Sequence, residues 1–146
     1  MNWKEEAINK LRRYDALQRA YKNIPEEIAY LESDAVTIRG RASDCIPVKG
    51  IVGKREDALI SNLVEREELK ISGENVRRIL NCINSALAVL TPEEKIILHR
   101  LYICPEPKAL DRLISDLGKE KSSIYRKRDE ALLKFTIAMY GSADSI

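Results

Sequence analysis

The chain has 146 residues, of which 45% are hydrophobic and 33% charged, and its net charge is +2 at pH 7. This length allows one domain, or one small domain with a helical extension, and the shortage of Gly and Pro indicates a soluble, helix-rich protein. So small a net charge excludes binding to nucleic acid through overall charge, and any such function must come from where the charges are placed.

The spacing of the cysteines and the length of the apolar segments exclude several further classes of protein. The three cysteines are far apart in the sequence, which argues against a disulfide framework and fits no zinc-ligand spacing. No apolar run approaches the ~18 residues of a membrane span, and the first residues lack the apolar core of a signal peptide. We therefore expect a cytoplasmic protein without a metal or cofactor.

A first helix is predicted over residues 3–22, where apolar side chains recur every three or four positions. The sequence Asn23-Ile24-Pro25 predicts an interruption, because proline suits the first turn of a new helix. A second, shorter helix then continues to about Ala35. The apolar stripes consist of Ala7, Leu11, Tyr14, Leu17 and Tyr21 in the first helix, and of Ile28, Leu31 and Ala35 in the second.

The middle of the chain is predicted to be a loop followed by a long helix. Residues 36–54 contain three glycines, one proline and scattered β-branched residues, which is typical of an irregular loop. Helical periodicity returns over 55–90, where Ser72 and Gly73 indicate a kink or a break. Such a helix cannot bury its apolar stripe alone, so we expect it to pack against the first two helices, a second copy of itself, or both.

The clearest helix start in the sequence is at Thr91. Thr91 is the predicted N-cap, Pro92 the first helical residue, and Glu94 closes a capping box with Thr91. This pattern predicts a helix over residues 92–102.

Two further helices are predicted, over about 108–117 and 121–140. Gly118 lies between them, at a position where the end of a helix favours positive φ. This arrangement is typical of a helix-turn-helix, whose second helix offers its N-terminal residues to the major groove of DNA. The expected inward-facing residues are Leu110, Leu113 and Leu117 in the first helix and Ile124, Ala131, Leu132 and Phe135 in the second.

The exposed start of the last helix is the candidate DNA-binding site. Lysine and arginine neutralise phosphates, arginine can also bind guanine with two hydrogen bonds, and serine is short enough to reach a phosphate or a base. The predicted DNA-binding residues are Lys121, Ser122, Ser123, Tyr125 and Arg126, with Lys127 and Arg128 behind them.

Basic side chains are concentrated around this site. Residues 119–134 contain six basic and three acidic residues, an excess of +3 that is larger than the charge of the whole chain. Lys119 and Lys127 occupy positions that are usually apolar in a helix-turn-helix. Their aliphatic stems can cover apolar surface there while their ammonium groups stay in water. Spacing and charge alone leave two interpretations open, a DNA-reading helix-turn-helix and an ordinary helical hairpin with a solvated basic face.

Residues 90–135 resemble the C-terminal DNA-binding domain, region four, of sigma factors of the housekeeping type. LTPEEKIILHRLY is similar to the first part of that domain, and LDRLISDLGKEKSSIYRKRDEALLKF is similar to its helix-turn-helix without a gap. Ile124-Tyr125-Arg126 resembles phage late-gene activators of the ArpU/RinA type, and YKNIPEEIAYLE resembles a related group of uncharacterised phage and prophage proteins. The resemblance implies DNA binding and transcription control, with the recognition helix beginning at Lys121.

Together these observations predict an all-α protein with two parts. Residues 1–90 would form a helical dimerisation region containing the loop 36–54, and residues 91–146 a sigma-like helix-turn-helix domain. We expect a homodimeric transcription regulator of phage origin that binds double-stranded DNA, with RNA polymerase as a further partner. No catalysis is expected, because the lone His99 has no evident partners and no nucleophile motif is present.

Two alternatives stay open at this stage. The chain could be a phage DNA-packaging protein similar to a terminase small subunit, which would bind DNA in the same way but assemble as a ring. It could also be an RNA polymerase-interaction module that does not contact DNA.

Overall fold

The computed structural model describes residues 2–44 and 49–142, and these ranges form five α-helices and one π-helical turn, with no strand among them. The expectation of an all-α protein is confirmed. The helices are α1 (Trp3–Asp44), α2 (Lys49–Ala88), α3 (Pro92–Leu98), α4 (Ala109–Leu117) and α5 (Lys121–Tyr140), and the π-helical turn (His99–Ile103) directly follows α3. Within the described ranges, no helix is both long and apolar enough to cross a membrane.

α1 is continuous, so the predicted interruption at Asn23-Ile24-Pro25 is wrong. Pro25 lies inside the helix, where it removes one backbone hydrogen bond and crowds the preceding turn. Packing against α2 offsets this cost, since a Cβ atom placed on Gly73 would lie only 3.3 Å from Ile24 Cγ2. Close packing between two long helices therefore outweighs the tendency of proline to interrupt a helix.

The predicted loop at 36–54 is also wrong in the part that the structure describes. Residues 36–44 complete α1 and residues 49–54 begin α2, while 45–48 lie outside the described residues. The predicted break at Ser72 and Gly73 is absent as well, because α2 runs through both. β-Branched residues and single glycines each cost a helix about 1 kcal/mol or less, which helix pairing can outweigh.

The chain divides into two compact units. A terminal unit contains residues 2–18 and 78–142, and a central unit contains residues 19–44 and 49–77. The expected domain boundary at residue 90 falls inside the terminal unit. The segment resembling a helix-turn-helix thus shares its unit with the start of α1 and the end of α2.

In the central unit, α1 and α2 run antiparallel and are joined through a buried amide. Asn62 Nδ2 donates to the carbonyl oxygen of Leu31 at 2.8 Å, and Asn62 Oδ1 accepts from Arg66 Nε at 2.8 Å. Leu31 and Ala35 are buried, as the predicted apolar stripe requires. Because both the Nδ2 group and the Oδ1 atom of Asn62 have hydrogen-bond partners, burying this amide costs little free energy. Its bond to α1 also fixes how the two helices pair.

The terminal unit has two apolar clusters, and together they hold α5. In the smaller cluster, Ile97 from α3, Leu113 from α4 and Ile124 from α5 are fully buried. Burying each of these side chains stabilises the unit by roughly 1.5–3 kcal/mol relative to exposure. The larger cluster consists of Ala7, Leu11, Ile83, Ala86, Leu90, Leu98, Ile103, Ala131, Leu132 and Phe135.

Candidate nucleic-acid interface

The start of α3, which lies against α5, has the predicted capping box. The Thr91 hydroxyl accepts a hydrogen bond from the backbone N–H of Glu94 at 3.3 Å, and the Glu94 carboxylate accepts one from the backbone N–H of Thr91 at 3.2 Å. Pro92 lies in the first turn, as predicted. The box begins the helix at a defined residue and thereby fixes where the neighbouring carboxylate of Glu93 lies.

The predicted helix over 92–102 is present, but its last turn is π-helical. An ion pair between Arg100 and Asp116 joins this turn to α4. The hydrogen bond from Arg100 to Asp116 raises the pKa of the guanidinium. The pair links the two helices that precede α5 at their exposed side.

A tight turn at Gly118 separates α4 from α5, at the predicted position. Gly118 has φ of +63°, and its N–H donates to the carbonyl oxygen of Ile114 at 3.0 Å. This left-handed backbone costs any residue with a Cβ about 1–2 kcal/mol, which explains the glycine. The four predicted anchors of α5 are buried, namely Ile124, Ala131, Leu132 and Phe135.

Three of the predicted DNA-binding residues lie exposed at the start of α5. Lys121, Ser122 and Arg126 are exposed, whereas Ser123 and Tyr125 are half-buried. Tyr125 lies between two cations, with Lys121 Nζ 5.7 Å and Arg128 Cζ 4.7 Å from the centre of its ring. The tyrosine therefore helps to order basic side chains on both sides of it through cation–π contacts.

Lys127 belongs to an ion-pair network inside the terminal unit. Its Nζ lies 2.8 Å from Glu93 Oε2, and Lys119 Nζ lies 2.6 Å from Glu93 Oε1. Lys134 Nζ lies 3.0 Å from Glu94 Oε1 in the same way. Lys119 and Lys127, which occupy positions that are usually apolar in a helix-turn-helix, are thus both held by the carboxylate of Glu93 in α3. The sequence pattern did not predict this shared partner.

The other basic residue behind the exposed face, Arg128, is also compensated. Both its Nε and its Nη2 donate to Asp129 Oδ1, at 3.1 and 3.0 Å. Of the six basic residues in 119–134, four therefore have carboxylate partners in the terminal unit. Lys121 and Arg126 carry the positive charge that faces outward at the start of α5.

The lysine partners stabilise the ionised forms of the two α3 carboxylates. Hydrogen bonds from Lys119 and then Lys127 lower the pKa of Glu93. Burial opposes ionisation of Glu94, but hydrogen bonds from Lys134 and Thr91 outweigh it and leave the pKa of that carboxyl below its usual value. The hydrogen bond to Glu93 in turn raises the pKa of Lys127. Both α3 carboxylates of the network are therefore ionised at neutral pH.

A groove beside the exposed face includes two residues that the sequence did not assign to it. Trp3 and Lys4, at the start of α1, line this groove together with Tyr125 and Arg126. Lys4 Nζ lies 3.6 Å from Asp129 Oδ1, so an ion pair ties the start of α1 to α5. No local pattern near Trp3 indicates this contact, which arises from folding of residues more than a hundred positions apart.

Acidic residues mark one edge of the basic face. Asp129 and Glu130 line the same groove about one turn beyond Arg126. Because Asp129 already pairs with Lys4 and Arg128, repulsion of phosphates at this edge would come mainly from Glu130. Among the described residues, no group of three or more His, Cys, Asp or Glu side chains is arranged to hold a metal ion.

Comparison with known proteins identifies no relative of this chain. No protein-family model, no curated protein and no solved structure gives a significant match to the chain.

Proposed function

We propose that the protein is a DNA-binding transcription regulator whose α5 enters the major groove. The observation that carries this proposal is the joint exposure of Lys121, Ser122 and Arg126 on the first turns of α5, directly after the turn at Gly118. The rest of α5 is anchored by buried apolar residues, so the exposed side chains project from a rigid base. Rigid presentation lowers the entropy lost on binding.

The chemistry of the exposed residues fits duplex DNA. Arg126 can donate two hydrogen bonds to the O6 and N7 atoms of guanine, and Lys121 can neutralise a phosphate. Glu120, the N-cap of α5, makes no side-chain capping bond, which leaves the first amides of the helix open to a phosphate oxygen. Arg126 would therefore supply specificity, and Lys121 with the helix start would supply positioning.

Transcription control and phage origin enter the proposal through the resemblance to sigma region four and to phage late-gene activators. A homodimer would present two copies of α5 to half-sites one helical turn of DNA apart, or a multiple of it. RNA polymerase is the further partner that the same resemblance suggests. A ring-forming packaging protein would bind DNA in the same way, and a stoichiometry of eight or more copies would favour it.

A second candidate function is protein binding without DNA contact. The groove lined by Trp3, Tyr125, Arg126 and Leu133 favours this candidate, because Trp, Tyr and Arg are the residues that most often dominate protein interfaces. An RNA polymerase-interaction module would use this groove together with the basic face. Binding to the polymerase with no affinity for duplex DNA at low salt would favour it.

Two adjacent basic residues provide a matched test of the DNA proposal. Arg126→Ala should weaken binding to a selected duplex by about 1–3 kcal/mol and leave the melting temperature unchanged, because Arg126 is exposed. Lys127→Ala should mainly lower the melting temperature, because Lys127 pairs with Glu93. Fluorescence anisotropy with duplexes selected from a random pool measures affinity, and circular dichroism measures melting. Equal affinities for the wild type and Arg126→Ala would contradict the assigned role of Arg126.

A further inference from the structure

A pocket of about 370 Å³ lies inside the terminal unit, between α3, the π-helical turn and the parts of α1 and α2 that belong to this unit. Its floor is apolar and consists of Tyr14, Leu87, Ile96 and Ile103. The Tyr14 hydroxyl donates to Asn84 Oδ1 on α2, which holds the phenol ring in place. Pockets of roughly 300–1,000 Å³ with mostly apolar walls and a few polar groups are typical of small-molecule sites.

The backbone beside this pocket departs from an ordinary α-helix. The N–H of Cys104 donates to the carbonyl oxygen of His99, five residues earlier, at 2.9 Å and so closes the π-helical turn. Such turns are rare and occur frequently at functional sites. Both His99 and Ile103, the first and last residues of the turn, line the pocket. The cavity and the unusual turn are two separate features that coincide at one place.

The rim of the pocket is basic. Lys95, His99 and Arg100 line it, and no acidic residue does so in the part of the chain that the structure describes. Arg100 pairs with Asp116, so its charge is compensated. Lys95 and His99 are exposed, lie one helical turn apart, and have no side-chain partner among the described residues. Lys95 therefore offers a positive charge, and His99 a ring N–H donor, beside the apolar floor.

This combination fits an apolar molecule that carries one carboxylate. A carboxylate accepts charge-assisted hydrogen bonds from an ammonium group, and an imidazole N–H can donate to its second oxygen. The apolar body would cover the floor and remove its surface from water, which contributes roughly 25 cal/mol per Å². A molecule with several charges would place some of them against the floor without partners, which costs free energy.

We propose that this pocket binds a small molecule with an apolar body and a single carboxylate, and that Lys95 and His99 hold the carboxylate. This inference goes beyond DNA binding and does not rest on it.

Isothermal titration calorimetry of the full chain tests the chemistry of the ligand. The probes are decanoate, which has a flexible chain, and para-butylbenzoate, which has a ring. Decanol should bind roughly fivefold more weakly than decanoate, because it lacks the charge that Lys95 attracts. Absence of binding by both carboxylates, or equal affinities for decanol and decanoate, would overturn the proposal.

Variants of the rim and the floor test the assigned residues. Lys95→Met should weaken decanoate binding roughly fivefold and leave decanol binding unchanged, a difference that a general loss of structure would not produce. Ile96→Glu, at a position that is 40% exposed, should abolish decanoate binding. Lys22→Met is the matched control, because Lys22 is exposed on α1 in the central unit, and it should bind decanoate as the wild type does.

Melting followed by circular dichroism checks that each variant is folded. Equal losses of decanol and decanoate affinity in Lys95→Met would contradict the role of Lys95. Unchanged decanoate binding by a folded Ile96→Glu protein would show that the pocket is not the site.

Heteronuclear NMR of the wild type locates the bound probe without any substitution. Decanoate should shift the amide signals of residues 95–103, which include the π-helical turn. The exposed aliphatic residues Ile60 and Ile71 of α2 are the competing surface for a fatty acid. Shifts confined to α2 around these two residues would overturn the assignment of the pocket.

Discussion

At the scale of single residues, Glu93 shows how a side chain without any local sequence signal can organise a site. Its carboxylate binds Lys119 at the turn and Lys127 on α5, which are far from it in sequence. The capping residues Thr91 and Glu94 were predictable because they interact within one turn, and so was Gly118, because a left-handed backbone favours glycine. Partners across the fold have no such spacing rule, so the ion pair between Lys127 and Glu93 could not be predicted from sequence.

We predict that Glu93→Gln lowers the urea midpoint of unfolding at pH 7. Since Lys119 and Lys127 lower the pKa of Glu93 in the folded state, its stabilising contribution is present above the unfolded pKa of about 4.3 and is lost as the pH falls through the folded value. The difference between wild type and variant should therefore shrink as the pH is lowered below about 4. Urea titrations of both proteins from pH 7 to pH 3 measure this difference in unfolding midpoint.

Glu26→Gln, at an exposed position of α1, serves as the control for this substitution. Its urea midpoint should follow that of the wild type across the same pH range. A Glu93→Gln deficit that stays constant down to pH 3 would show that the ion pairs with Lys119 and Lys127 are not its cause.

At the scale of helices, the ends that local sequence signals determine were predicted well, and the interruptions that packing between helices removes were not. The bounds of α4 and α5 were predicted to within about a residue, because Gly118 and the apolar periodicity act locally. The breaks predicted at Pro25, in the described parts of 36–54 and at Ser72-Gly73 were wrong, because the long helices of the central unit stabilise each other where they pack. The glycine at 73, which suggested a break, instead permits the close approach of Ile24.

We predict that Pro25→Ala stabilises the protein. The substitution restores a backbone N–H inside α1 and removes the clash of the proline ring with the preceding turn, so the free energy of unfolding should rise by roughly 1–3 kcal/mol. Chemical denaturation followed by circular dichroism measures the change. Pro92→Ala is the control and should have a small effect, because proline suits the first turn of α3. A destabilised Pro25→Ala protein would argue against an uninterrupted α1.

At the scale of the whole molecule, the small net charge conceals how unevenly the charges are distributed over the surface. The chain has a net charge of +2, and much of the local excess at 119–134 is compensated by Glu93, Glu94 and Asp129. What faces outward is a small basic surface, made by Lys121 and Arg126 beside Ser122. DNA binding through so few cations should be moderate in strength and should depend on contacts from two copies of α5.

The salt dependence of duplex binding tests the central claim, that the exposed start of α5 contacts DNA. Each phosphate contact contributes about −0.9 to the slope of log affinity against log salt concentration, so a dimer using Lys121 from each copy and the two helix starts should give a slope of roughly −2 to −4. Lys121→Ala should make the slope shallower by about 0.9 for each phosphate contact that is lost. A slope that Lys121→Ala leaves unchanged, or no duplex binding at 50 mM salt or below, would contradict the account.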